Sequence, residues 1–250
     1  MIESTMIGFE IFKRLFPFKP TEADLKRYPG LEDRFRPFTV LEIIPFFAFS
    51  GLGAYLWYRG FLALQALQTG RLGPAVGLIT PTIYYWMLLA LFLGMIFSAP
   101  LMRLSYRALL GRERDADYVL YNNMRAGFDT WKAVRGLAVL VVVPALGFAF
   151  LGMDTYLKVT EQGMTLNPFW SLEERQYPFT EVKAVKSAAR FRAPGGRTVD
   201  RPHFIVEFSD GTTWTTRDWL REAEPERDGK LAAFIASRSG KNMQAVEMDE

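Results

Sequence analysis

TPTIYYWMLLALFLGMIFSAPLM, residues 80–102, contains no charged side chain, and Arg103 closes it. A bilayer's hydrocarbon core takes about 20 apolar residues of helix, so this run is long enough to cross one. Two further runs share the pattern. FTVLEIIPFFAFSGLGAYLWY, residues 38–58, holds one charge, Glu42, near its start and is closed by Arg59; GLAVLVVVPALGFAFLGM, residues 136–153, follows Arg135. Each central Leu, Ile, Phe or Val contributes roughly −0.3 to −0.6 kcal/mol to insertion, whereas a central charge costs about +3 kcal/mol. The sequence therefore predicts about three transmembrane helices over 38–153, with Pro45, Pro81, Pro100 and Pro144 kinking or capping them. Trp57 with Tyr58, and Tyr84, Tyr85 and Trp86, lie near span ends, where amphipathic rings suit the headgroup region.

Half of the 250 residues are hydrophobic, but unevenly placed. Residues 1–153 carry 16 basic and 11 acidic side chains, and residues 154–250 carry 14 and 16. The basic excess thus belongs to the apolar half, where Lys and Arg flanking lipid account for it, and the net charge of +3 does not point to nucleic acid. Cysteine is absent, which removes disulfides, thiolate metal sites and cysteine nucleophiles while fitting either redox compartment.

Residues 1–37 are not a secretory signal, because Glu3, Glu10, Lys13 and Arg14 interrupt any apolar core. At 100° per residue those charges gather on one side and leave Ile2, Met6, Phe9, Phe12, Leu15 and Phe16 on the other. Such a helix lies in the membrane interface or packs on the chain's own spans. Pro17 and Pro20 end it, and Thr21 to Asp24 predicts the cap of a short second helix. Seven basic residues precede Phe38 and seven lie between Arg103 and Arg135, against Arg59 and Arg71 alone in the first loop. Positive-inside bias puts the N-terminus and the long connection in the cytoplasm. Three crossings then send the C-terminal half to the far side; a first segment that re-enters at Pro45, Gly51 and Gly53 instead returns it to the cytoplasm.

Pumps and coupled carriers keep ionisable groups at membrane depth, and the centres of these spans have none. Glu42, near an interface, reads as wet or paired with Arg36 or Arg59. The spans read as an anchor, and Gly51, Gly53 and Ala54 offer a close-packing surface to a helix of this chain or of a partner.

After Met153 the pattern turns to short alternating strands. TYLKVT from Thr155 and MTLNPF from Met164 flank a turn at EQG; ERQYPF follows at Glu174 and EVKAVKSAARFR at Glu181. APGGRTVDRP reads as a loop, Asp210 and Gly211 join HFIVEFS to TTWTT, and a helix is predicted from about Trp219 to Ser239, ending at Gly240. Residues 154–240 form the predicted domain and 241–250 a loose tail. The run YLKVTEQGMTLNPFWSLEERQYPFTEVKAV, with VTEQGM and then ERQYPFTEV, resembles the bacterial pleckstrin-homology-like domain of small membrane proteins. The resemblance covers 155–239. It implies a mainly β barrel or roll capped by a C-terminal helix, used for binding or assembly, without catalytic residues or cofactor, on a bacterial cytoplasmic (inner) membrane.

Chemistry-bearing patterns are sparse. His203 is the lone histidine, Gly195 with Gly196 lacks the Lys and Ser/Thr of a phosphate loop, and Glu173 with Glu174 alternate across a strand. No enzyme is expected, nor a metal or cofactor. The candidate contact surface is a basic strip, Lys183, Lys186, Arg190, Arg192, Arg197 and Arg201, which meets anionic lipid headgroups or a protein partner, or is a solvated face. With Phe191 as its one interleaved aromatic it is poorly suited to nucleic acid. The expected protein is a multi-pass membrane-anchored binding or scaffolding protein; the alternative is an accessory subunit of a transporter or envelope-assembly enzyme complex.

Overall fold

The computed structural model describes residues 10–193, 195–217 and 224–249. They divide into two compact units, one of Met1–Leu62 with Met87–Ala149 and one of Ala63–Trp86 with Phe150–Glu250. A helical segment at residues 10–15 is followed by α1 (Glu22–Leu41), α2 (Ile43–Arg71), strand β1 (Gly77–Ile79), α3 (Ile83–Leu110), α4 (Arg112–Ala126) and α5 (Thr130–Asp154). Strands β2 (Tyr156–Val159), β3 (Gly163–Asn167), β4 (Arg175–Pro178), β5 (Val182–Arg192), β6 (Thr198–Phe208) and β7 (Thr213–Thr215) come next, then α6 (Pro225–Ser239) and β8 (Met243–Asp249). The layout is helices first and sheets second, as expected.

Among the described residues α3 and α5 are each long and apolar enough to cross a membrane, and α1 with α2, bent by 53° at their break, make a third if counted as one span. The predicted first span therefore straddles a bend, at Glu42. The expected short second helix is 20 residues long, with Pro29 and Pro37 inside it. Its start is capped as predicted: Thr21 Oγ1 accepts from the Asp24 N–H at 3.2 Å, and Asp24 Oδ2 accepts from the Thr21 N–H at 2.9 Å. Most of the N-terminal amphipathic face, Ile2, Met6 and Phe9, lies outside the described residues. Of the rest, Phe12 stacks on Phe128 at 5.5 Å and Phe16 accepts the Asp129 N–H at 2.9 Å, so these two residues meet their own chain, while Leu15 is exposed.

α2 and α3 cross at glycines. A Cβ on Gly94 would stand 2.5 Å from the Ser50 carbonyl oxygen and 2.8 Å from Ala54 Cα, and one on Gly53 would stand 3.1 Å from Gly94 Cα. Gly53 and Ala54 thus meet a helix within the chain, and Gly51 faces open space.

Among the described residues of the second unit the strands form two four-stranded sheets, ordered β1-β2-β3-β4 and β7-β6-β5-β8, with no closed barrel. Their inner faces share one core: Leu157, Val159, Met164 and Tyr177 from the first, Val185, Val206 and Phe208 from the second. Leu231, Ala232 and Ile235 of α6 close it, and the Tyr177 and Phe208 rings stack at 3.9 Å. β1, from between the first two apolar runs, pairs antiparallel with β2, which follows the third. The turn at Gly211, φ +85°, joins β6 to β7 as predicted. Two expectations are corrected. Thr198 to Pro202 belong to β6: Pro202 falls at the register shift opposite Ala188 and Arg190, beyond the reach of β7, so its missing N–H leaves no ladder bond unmade. Residues 243–249 are not a loose tail but β8, parallel to β5 from Met243 opposite Val185 to Asp249 opposite Phe191. The expected helix starts at Pro225, with 219–223 outside the described residues.

Candidate functional site

The six basic residues all lie on the β5–β6 hairpin, but the strip is less free than its sequence implies. Lys186 pairs with Glu207 on the adjacent strand; Arg190 pairs with Asp200 at 3.1 Å and with Glu247 of β8 at 3.8 Å. Lys183, Arg192 and Arg197 are exposed and Arg201 is half-buried, and these four have no ion pair among the described residues. Reading 241–250 as loose concealed the carboxylates that β8 brings to this sheet.

His203, 2% exposed, fastens that strand. Its Nδ1 lies 3.0 Å from the Arg201 carbonyl oxygen and its Nε2 3.1 Å from Asp249 Oδ2. Arg217 reaches the same carboxylate at 2.8 Å while its guanidinium covers the Phe191 ring at 4.6 Å. Both ring nitrogens are engaged by the fold. Elsewhere in this unit burial, and then the Glu174 carboxylate accepting its hydroxyl at 2.5 Å, push the Tyr156 phenol upward. The Thr212 N–H, donating at 2.8 Å, holds Asp210 below the usual carboxylate range. Among the described residues no three His, Asp or Glu side chains gather to hold a metal ion.

A second site lies in the first unit. A cavity of about 210 Å³ is lined by Glu42 at the α1–α2 break, Arg103 and Tyr106 near the end of α3, Asp115 and Tyr118 one turn apart on α4, and Trp131 in the first turn of α5. Arg103 stacks over the Trp131 ring at 4.5 Å and comes no nearer to Asp115 than 3.9 Å, too long for a hydrogen bond. Asp115 is 6% exposed; its Oδ1 and the Tyr118 hydroxyl are buried with no hydrogen-bond partner. Each such group costs about 1–3 kcal/mol unless completed. A neighbouring hollow of about 350 Å³ shares Arg103 and Trp131 and adds Arg107 and Arg135, the latter 5.6 Å from the Trp131 ring centre. Glu42 pairs with neither Arg36 nor Arg59 among the described residues; it belongs to this cavity. The sequence singles out Glu42 by its place in an apolar run, and Arg103 and Arg135 only as flanks of such runs. Asp115, twelve residues beyond Arg103, carries no pattern linking it to either.

No protein-family model matches the sequence, and comparison with curated proteins finds no match.

Proposed function

We propose that the chain is a multi-pass membrane-anchored binding or scaffolding protein, its water-facing domain a pleckstrin-homology-like module in the form of an open two-sheet roll, with no catalysis of its own. One observation carries the membrane reading: in the most apolar windows of α3 and α5 only 28% and 17% of residues are buried by the protein itself. Leu91, Phe92, Val139 and Leu140 are among the exposed side chains, and a surface of this kind is covered by lipid. Topology supports three crossings. Residues 12–39 pack on α4 and Phe128, between the second and third apolar runs: Tyr28 stacks on Tyr121, and Phe35 meets Tyr118 edge-on. β1, between the first and second runs, pairs with β2 after the third. An N-terminus sharing a side with α4, and a β1 sharing a side with β2, are what an α2 that crosses as α3 and α5 do would give. With the basic stretch from Arg103 to Arg135 in the cytoplasm, the β domain faces the other side of a bacterial inner membrane. The test is extraction: the chain stays in the membrane fraction through high salt and alkaline wash, and release by alkali alone rejects the reading.

A further inference from the structure

We propose that the paired hollows bounded by α3, α4 and α5 bind a phosphoethanolamine group, as carried by an amino-phospholipid headgroup or by a free phosphomonoester. The charges are sorted. The carboxylates of Glu42 and Asp115 line the first hollow and not the second; Arg107 and Arg135 line the second and not the first; Arg103 and Trp131 form the shared wall. A ligand that fills both must carry a cationic end and an anionic end a few bonds apart, which is the form of a phosphate ester of ethanolamine.

The cationic end finds Asp115, whose Oδ1 has no partner and whose Oδ2 is only loosely paired. It also finds the Tyr118 hydroxyl and two aromatic rings, Tyr106 and Tyr118, with centroids 5.2 Å apart. A buried carboxylate beside aromatic faces stabilises a desolvated ammonium by charge-assisted hydrogen bonding and cation–π attraction. The anionic end finds three guanidiniums around one indole, two of them held against its ring at 4.5 and 5.6 Å. Arginine presents a planar fork that matches phosphate oxygens, and stacking on Trp131 fixes its plane before the ligand arrives. The position suits a lipid source: Arg103 ends one uncharged run and Arg135 precedes another, so both mark the depth at which hydrocarbon gives way to headgroups. A headgroup lacking the amine, such as phosphatidylglycerol, would meet the arginines but leave Asp115 buried without a donor.

The inference rests on the membrane reading for its lipid source alone, and the experiment keeps the two apart. Full-length protein in nonionic micelles is titrated with short-chain phosphatidylethanolamine, short-chain phosphatidylglycerol, O-phosphoethanolamine and inorganic phosphate, with binding followed by thermophoresis. The ethanolamine lipid should bind at least tenfold more tightly than the glycerol lipid, and Asp115→Asn should erase that preference. Arg107→Gln, an exposed site whose loss should leave the melting temperature unchanged, should weaken every phosphate-bearing probe several-fold. Should Asp115→Asn fail to fold, the lipid preference and Arg107→Gln decide. Binding of O-phosphoethanolamine as tight as that of the lipid assigns the site to a free phosphomonoester; binding of the lipid alone assigns it to the bilayer. Equal affinity for the two lipids, or no binding by any probe, overturns the proposal. A chain that alkali strips from membranes yet binds O-phosphoethanolamine rejects the membrane reading and keeps this one.

Discussion

Replacing Gly94 by alanine should force apart the close crossing of α2 and α3. The added Cβ would meet the Ser50 carbonyl oxygen at 2.5 Å and Ala54 Cα at 2.8 Å, and both are backbone atoms of α2 that cannot swing aside. Ordinary contact is short by roughly 1 Å, so α2 and α3 must part, and a gap of that size forfeits a quarter to a half of the dispersion energy of each contact it opens. The Trp57 and Phe97 rings, in edge-to-face contact at 5.8 Å, lie among those affected. Overpacking of this kind costs about 1–3 kcal/mol, or roughly a 5- to 150-fold fall in the folded-to-unfolded ratio. The assay is reversible unfolding of the full chain in mixed detergent–SDS micelles. Gly147→Ala is the control, because a Cβ there meets nothing within 4 Å and the better helix former should be neutral or stabilising. If Gly94→Ala behaves like Gly147→Ala, the close crossing is wrong.

Truncation after Lys241 should destabilise the β domain by several kcal/mol, since it removes the β8 ladder and the Asp249 contacts of His203 and Arg217; an unchanged melting temperature would restore the loose tail. A fragment of residues 154–250 lacks β1 and exposes the β2 edge that holds the Val76 N–H at 2.8 Å, so it should aggregate more than one joined to residues 72–82 by a flexible linker, as light scattering would report. Asp210→Asn should destabilise at neutral pH and not in acid. The folded-state value of Asp210 is lowered, so its contribution is present above the ordinary carboxyl value of about 4 and is lost as pH falls through the depressed one. Melting temperatures of the two proteins that stay equally far apart at pH 3 and pH 7 would contradict this.

The architecture was legible where one physical rule dominates. Uncharged runs that end at Arg103 and begin after Arg135 fixed α3 and α5, and the Asp210–Gly211 pair fixed the β6–β7 turn, because insertion energy and positive φ are local properties. What was missed is non-local. β1 is three residues long between two helices, and only its pairing with β2 makes it a strand. β8 reads as a polar end because its sequence, MQAVEMD, alternates weakly; a parallel neighbour supplies the order. The bend at Glu42 does have a local signal in Pro45, which stands in the first turn of α2 and offers no N–H to the Leu41 carbonyl. Lys183, Lys186, Arg190 and Arg192 read as one strand and Arg197 with Arg201 as loop, whereas Arg201 lies in β6, and the pairing of Lys186 and Arg190 with Glu207, Asp200 and Glu247 depends on strand register. The Arg103, Trp131 and Asp115 cavity draws on three helices and leaves no periodic trace in any one of them.

Three crossings, as proposed, predict that positions beside α4 and positions in the β domain are reached from opposite faces of the membrane. The chain has no cysteine, so single introduced cysteines report sidedness without background. Lys19→Cys, Glu113→Cys, Arg71→Cys and Ser209→Cys all fall at exposed positions. In intact spheroplasts a membrane-impermeant maleimide should label positions 71 and 209 and leave 19 and 113 unlabelled until the membrane is opened. Labelling of positions 19 and 209 to the same extent in sealed spheroplasts would contradict the account.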